Sequence, residues 1–165
     1  MENNNIIGLK FEFYVYNLYK NLKKRNVRHN KIISINRRKN NNIRVQIDVV
    51  YSSWFKDYYV ECKYRKENTK ITLNEVAKFY AVLELLKVPA KRGEIVTNNY
   101  FNDRAKEYAS SKGIKLHDLD NLVKMERSRQ NIIRRIINPK IDIEQLIRKT
   151  KIRKNMSLIY QIASL

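Results

Sequence analysis

The chain of 165 residues has one cysteine, two histidines and only sixteen acidic residues. Cys62 has no second cysteine to pair with, which excludes an intramolecular disulfide and with it a secreted, disulfide-stapled scaffold. His29 and His117 lie far apart and lack cysteine companions, so no Cys/His metal cluster can be drawn. Each reads as an ordinary loop or strand-end residue. Long apolar runs are missing as well. The first five residues are polar, with no signal core, and no stretch approaches the length needed to cross a bilayer. A soluble, intracellular protein without a membrane partner is expected. Internal repeats and low-complexity linkers are also absent.

Positive charge is what the chain has in excess. Thirty-five Lys and Arg face sixteen acids, a formal net charge of +19, and this points to a polyanionic partner. A codon bias would raise Lys, Asn and Ile, but it explains neither the arginines nor the scarcity of acids. With 43% hydrophobic and 10% aromatic residues, general disorder is excluded. The length suits one domain with a sizeable core.

Two short segments organise the rest: Arg44 to Tyr51, and Tyr58 to Lys63. Both are rich in β-branched and aromatic residues and read as strands, with polar Ser52, Ser53, Lys56 and Asp57 in the break between them. Alternation puts Glu61 and Lys63 on one face of the second strand and Val60 and Cys62 on the other. Asp48 comes from the neighbouring strand, thirteen positions before Glu61. Two converging carboxylates make a hard-oxygen site for Mg²⁺, and an adjacent lysine can serve a phosphate or an attacking water. The reading is a site that cuts nucleic acid. An acid-x-Lys triplet alone is weak, since many sheets carry a surface Glu–Lys pair worth little energetically. This one is the only such triplet in the chain.

Around these strands, residues 6–25 read as an amphipathic helix with the stripe Ile7, Phe11, Val15, Leu18, Leu22. Asn5 is the expected N-cap, and Lys20, Lys23, Lys24 and Arg25 complement the dipole in its last turns. Glu12 sits at the edge of the stripe and, on the helix alone, is a solvated boundary residue. Gly8 weakens the helix, which suggests a close approach to its backbone.

A strand over Lys31–Ile35 leads to the basic turn Asn36–Asn42, where Arg37, Arg38 and Lys39 either track a phosphate backbone or form a solvated hairpin tip. Tyr64–Thr72 is a second basic loop, with Lys66 and Lys70 as phosphate contacts. Thr72 and Glu75 form a capping box for a helix over Leu73–Lys87, with Val76, Phe79, Tyr80, Leu83 and Leu86 on its apolar face. A strand Gly93–Thr97, a helix Asp103–Ser111 with Ala105 and Ala109 inward, the C-cap Gly113 and a strand Ile114–His117 follow. This order implies crossovers in a partly parallel sheet. After Leu122 the character changes: a helix over Lys124–Ile137, a stop before Pro139, and a second helix start at Asp142. The expected organisation is a core over 1–122 and a basic helical extension over 123–165.

Gly8-x-x-Phe11-Glu12, Ile47-Asp48-Val49-Val50, Val60-Glu61-Cys62-Lys63, and Val96-Thr97 with Phe101-x-x-x-Ala105-x-x-x-Ala109 together resemble the PD-(D/E)XK nuclease superfamily. Within it they most resemble the Mrr-like restriction endonucleases, over about residues 7–122. The resemblance implies a restriction-endonuclease-like α/β core, a mixed central sheet flanked by helices, and metal-dependent hydrolysis of DNA with 5′-phosphate products. It makes Asp48 and Glu61 metal ligands, with the Cys62 backbone carbonyl as a further oxygen, Lys63 the catalytic lysine and Glu12 a site residue. Mg²⁺ is the implied ion, with Mn²⁺ able to substitute. Ile47 stands where some members carry proline, and Glu61 where many Mrr-like proteins carry glutamine. The glutamine often found on the following helix has no counterpart beyond Lys78. A Holliday-junction-resolving nuclease, which usually works as a homodimer, and a non-catalytic nucleic-acid-binding module of the same fold are the alternatives.

Overall fold

The computed structural model describes residues 4–37, 41–66 and 69–129. Helix α1 spans Asn4–Asn21, followed by strands β1 (Arg25–Arg37), β2 (Asn41–Ser53) and β3 (Lys56–Lys63). Helix α2 (Leu73–Leu85) and a short 3₁₀ turn over Ala90–Arg92 lead to β4 (Gly93–Thr97). Helix α3 (Asp103–Lys112), β5 (Lys115–His117) and α4 (Leu119–Arg129) complete the described body. The sheet order is β1-β2-β3-β4-β5. The first three strands are antiparallel, and β3, β4 and β5 run parallel. Parallel neighbours need crossovers, and α2 and α3 supply them. The mixed α/β sheet with flanking helices is therefore the observed fold.

Alternation along the strands sends successive side chains to different layers. Ile95 of β4 joins Val76, Phe79 and Leu83 of α2 and Ala105 and Ala109 of α3 in one buried cluster. Its neighbour Glu94 turns the other way and meets Tyr19 of α1. Alanine at 105 and 109 leaves room for α3 to approach the sheet closely. On the α1 side Phe11, Tyr14, Val15, Leu18 and Tyr19 are buried, a wider stripe than the aliphatic spacing suggests. No helix among the described residues is long and apolar enough to cross a membrane.

Two helix ends differ from expectation for a shared reason. Helix α1 stops at Asn21 rather than Arg25, and only Lys20 of the expected cations lies in its last turn. There Lys23 adopts a φ of 58°, its N–H donates to Lys20 O (3.0 Å) and the Lys24 N–H to Tyr19 O (3.2 Å). This is a Schellman ending. The same pair of bonds closes α2 at Lys87, whose φ is 55°, and α3 at Gly113, whose φ is 79°. Only the last carries the glycine that announces such an ending. Lysine does the same work at the other two, so both helices run shorter than their sequence suggests.

Helix α1 already includes Asn5, which is therefore not its N-cap. Among the described residues, no atom beyond its chain neighbours and the helix's own backbone comes within 4 Å of where a Gly8 side chain would begin, so the expected close approach is not found there. Strand β1 begins six residues before Lys31 and pairs with β2 as far as Arg37–Asn41. Helix α4 begins at Leu119 rather than Lys124, and buried Leu122 and Glu126 tie it to the body, so residue 122 falls inside a helix. Arg38, Lys39 and the basic stretch from residue 130 onward lie outside the described residues.

Candidate active site

The β2–β3 ladder runs from Ser53–Lys56 at the turn to Val49–Val60, and there it ends. One step further, Asp48 and Glu61 face each other across the parting strands. The Cys62 N–H donates to Asp48 Oδ2 at 2.7 Å, so a side-chain carboxylate takes over from the backbone where the ladder stops. Burial on β3 alternates as expected, with Val60 and Cys62 buried and Glu61 and Lys63 half-buried. Lys63 Nζ donates to Glu61 Oε1 at 2.5 Å, which fixes the ammonium on the carboxylate face.

Glu12 enters from the third turn of α1. Its Oε2 is buried with no hydrogen-bond donor among the described residues, and His29 Nε2 of β1 stands 3.9 Å away. Burial lowers the His29 pKa from its ordinary value, favouring the neutral ring. Glu12 is therefore not the solvated boundary residue that its helix position suggests. Burial first, then the negative charge of Glu61, raises its pKa, against the pull of Lys63. Asp48 is more strongly affected. Burial and the charge of Glu61 push its carboxyl up to about 7, while the Cys62 N–H opposes the shift. The structure thus brings Glu12, Asp48, Glu61 and Lys63 within electrostatic reach of one another. Three acids share one ammonium, and the surplus negative charge is what a cation would relieve.

Among the described residues, no three Asp, Glu, His or Cys side chains are arranged to hold one ion. That leaves a two-carboxylate donor set, Asp48 and Glu61, with the Cys62 carbonyl beside them. Such a sparse oxygen set suits Mg²⁺, which keeps several waters and takes further ligands from a phosphate. The donor chemistry, the orphaned Glu12 oxygen and the raised Asp48 carboxyl all fit a divalent ion.

The segment leaving β3 is clamped to the end of β4. The Arg65 N–H donates to Asn98 Oδ1, and Asn98 Nδ2 donates to Arg65 O, both at 2.7 Å. Asn99 Nδ2 donates to Lys66 O at 2.9 Å, and the Arg65 guanidinium pairs with Glu75 of α2. These asparagines look like turn markers in the sequence, yet they hold the loop that presents Lys66. Lys66 and Lys70 are exposed on the segment between β3 and α2, and Lys78 is exposed on α2. The Arg37 backbone closes the far end of β1.

A second carboxylate escaped the sequence reading. Glu94 is buried and accepts from Tyr19 OH at 2.6 Å and Tyr51 OH at 2.7 Å, with His117 Nε2 at 3.2 Å. Burial alone would raise its pKa, but the close His117 ring and the hydrogen bonds from Tyr19 and Tyr51 outweigh it and hold the carboxyl down to about 2. This network joins α1, β2, β4 and β5. No local signal could have announced it, because its four members are spread over nearly the whole described chain.

Comparison with known proteins bears on the fold and the family. No curated protein sequence matches the chain. Among solved structures, the protein of unknown function AF1548 is 25% identical with a TM-score of 0.58, covering 72% of this chain and 66% of its own. VC1899 from Vibrio cholerae is 14% identical with a TM-score of 0.52, over 72% of this chain and 30% of that one. Can2 from Sulfobacillus thermosulfidooxidans, solved in complex with cyclic tetra-adenylate, is 23% identical with a TM-score of 0.51, over 70% and 35%. The chain therefore spans about two thirds or less of each of these proteins. Residues 6–126 match the family model Mrr_cat, described as restriction endonuclease, and this span runs from the first turn of α1 through most of α4. With the match extending over most of its length, the chain belongs to the Mrr_cat restriction endonuclease family.

Proposed function

We propose that the protein is a metal-dependent DNA endonuclease that hydrolyses phosphodiester bonds and leaves 5′-phosphate ends. The observation that carries this reading is the meeting of Asp48, Glu61, Lys63 and Glu12 where β2 and β3 part, with Asp48 pushed up to about 7 by burial and by its neighbours' charge. Asp48, Glu61 and the Cys62 carbonyl would hold Mg²⁺, or Mn²⁺ in its place. Bound there, the ion would polarise the scissile phosphate and acidify a coordinated water.

The chain's own residues account for the rest. Glu61 holds the Lys63 ammonium at 2.5 Å, so a positive charge faces the negative charge that builds on the phosphate oxygens. Glu12 Oε2 has no donor among the described residues and is free to accept a proton from an attacking water. Burial and Glu61 raise its pKa toward the range in which a carboxylate works as a general base. Arg37, Lys66 and Lys70, together with Arg38 and Lys39, supply phosphate contacts whose strength falls with salt. The net charge of +19 suits an intracellular partner of high negative charge, which DNA is.

The test is a cleavage assay with Mg²⁺ or Mn²⁺ on plasmid, linear, branched and methylated DNA, run beside Asp48→Ala. Metal-dependent cutting by the wild type is expected, with cutting lost and DNA binding kept in the variant. Cleavage that survives Asp48→Ala would remove the proposed centre. A wild type that binds every substrate and cuts none would make the protein a binding module.

A further inference from the structure

The other end of the β2–β3 ladder carries a feature that hydrolysis does not use. Ser53 and Lys56 are its last pair, so Trp54 and Phe55 alone form a two-residue turn. Both are left-handed, with φ of 47° and 63°. Two successive positive φ values belong to the type I′ hairpin turn, normally given to Asn-Gly or Asp-Gly because bulky side chains are strained there. The chain uses asparagine for this conformation elsewhere, at Asn26 and Asn30. At the tip it places its one tryptophan and a phenylalanine, 86% and 104% exposed. Neither ring is buried in the core, so packing does not explain them.

The surroundings are cationic. Arg25 stands opposite Ser52 in the β1–β2 register, and Lys56 is exposed at the turn's exit. Tyr51 and Tyr58 stack behind the turn with centroids 5.0 Å apart and planes 8° off parallel. Lys24 Nζ lies 4.9 Å over the first ring and Lys115 Nζ 5.9 Å over the second. The acid at this end, Asp57, is occupied by Arg28 at 2.6 Å, Ser52 at 2.8 Å and Lys31 at 3.7 Å. Exposed π faces at the end of a hairpin that also carries cations, with the nearby carboxylate already neutralised, match a polyanion that offers π faces of its own.

We propose that the Trp54–Phe55 turn is a stacking platform for unpaired DNA bases, with Lys24, Arg25, Lys56 and Lys115 along the phosphates. A duplex keeps its base faces stacked, whereas a single strand presents them, and aromatic tips on cationic surfaces exploit this. The platform lies six residues along β2 from Asp48, about 20 Å at ~3.3 Å per residue, so it contacts a part of the strand remote from the cut. It shares with the proposed function only the premise of a DNA partner.

Intrinsic fluorescence tests it, because Trp54 is the only tryptophan and reports the tip directly. The full chain is titrated in EDTA, where no cleavage can occur, with an oligo-dT strand, with a blunt duplex and with phosphatidylserine vesicles. Saturable quenching by oligo-dT is expected. The double variant Trp54→Asn, Phe55→Gly, followed by anisotropy of a labelled strand, should lose about 10- to 100-fold in oligo-dT affinity, the range for one or two stacked bases. Its unfolding midpoint should rise at the same time, since Asn-Gly relieves the turn. Oligo-dT binding without quenching, or an unchanged affinity in the variant, overturns the proposal. A blue shift with vesicles and no quenching by oligo-dT would make the tip a membrane contact and overturn it equally. Phe55→Leu, which keeps apolar bulk without a π face, should also weaken binding, and this reading holds even if the double variant folds poorly.

Discussion

Replacing Asp48 with asparagine should make the metal-free protein more stable above neutral pH while abolishing cleavage. Asparagine keeps the shape and can still accept the Cys62 N–H through its Oδ1, so the bond that ends the β2–β3 ladder survives. What it removes is a buried negative charge beside Glu61. Asp48 ionises near pH 7 in the folded chain against 3.8 ordinarily, so between those values the folded state holds a proton that the unfolded state has released. Stability must then fall as pH rises from about 4 to 7, and the loss is complete above 7. The gap is about three pH decades at about 1.4 kcal/mol each, so on the order of 4 kcal/mol is at stake, as a ceiling. Urea unfolding of wild type and Asp48→Asn in EDTA, at pH 5 and pH 8, measures it. The variant should gain most at pH 8 and about a third as much at pH 5, and added Mg²⁺ should stabilise the wild type alone. Equal midpoints at both pH values, or a variant weaker at pH 8, would show that the three carboxylates do not crowd one another and would refute the electrostatic account of the site.

Lys63→Met should lower the cleavage rate by about 10²- to 10³-fold in single-turnover assays while leaving DNA affinity nearly unchanged, because the ammonium is needed mainly as charge builds on the phosphate. Glu94→Gln should behave oppositely to Asp48→Asn. The Glu94 pKa falls from 4.5 to about 2, so its stabilisation is present above 4.5 and lost as pH drops toward 2; denaturation at pH 7 should show a loss on the order of 3 kcal/mol that shrinks on acidification. For Gly93→Ala, the added methyl would stand 2.4 Å from Leu83 Cδ1 and 3.2 Å from the Ala90 carbonyl oxygen in a packed core, and a loss of about 1–3 kcal/mol should appear in the urea midpoint.

Much of the core was legible because its signals are local. The capping box at Thr72 is present, with the Thr72 N–H donating to Glu75 Oε2 at 2.8 Å. The inward alanines of α3, the left-handed Gly113 and the alternation along β3 also stand as read. The two misplaced helix ends share a cause. Lys23 and Lys87 sit where glycine usually signals a helix end, and Trp54-Phe55 sits where Asn-Gly usually signals a hairpin. A left-handed residue that is not glycine, asparagine or aspartate leaves no mark in composition, since the surrounding fold imposes the conformation.

The sequence by itself determined the order of elements, the excess of cations, and the placing of Glu61 and Lys63 on one strand face, because periodicity and charge are properties of neighbouring residues. Tertiary structure alone decided that Glu12 is buried beside Asp48 and Glu61 rather than solvated on its helix. It also decided that Glu94 is held ionised by Tyr19, Tyr51 and His117, and that Trp54 and Phe55 stand in water. Desolvation and the field of distant charges depend on which segments meet, and a local pattern carries no record of that meeting.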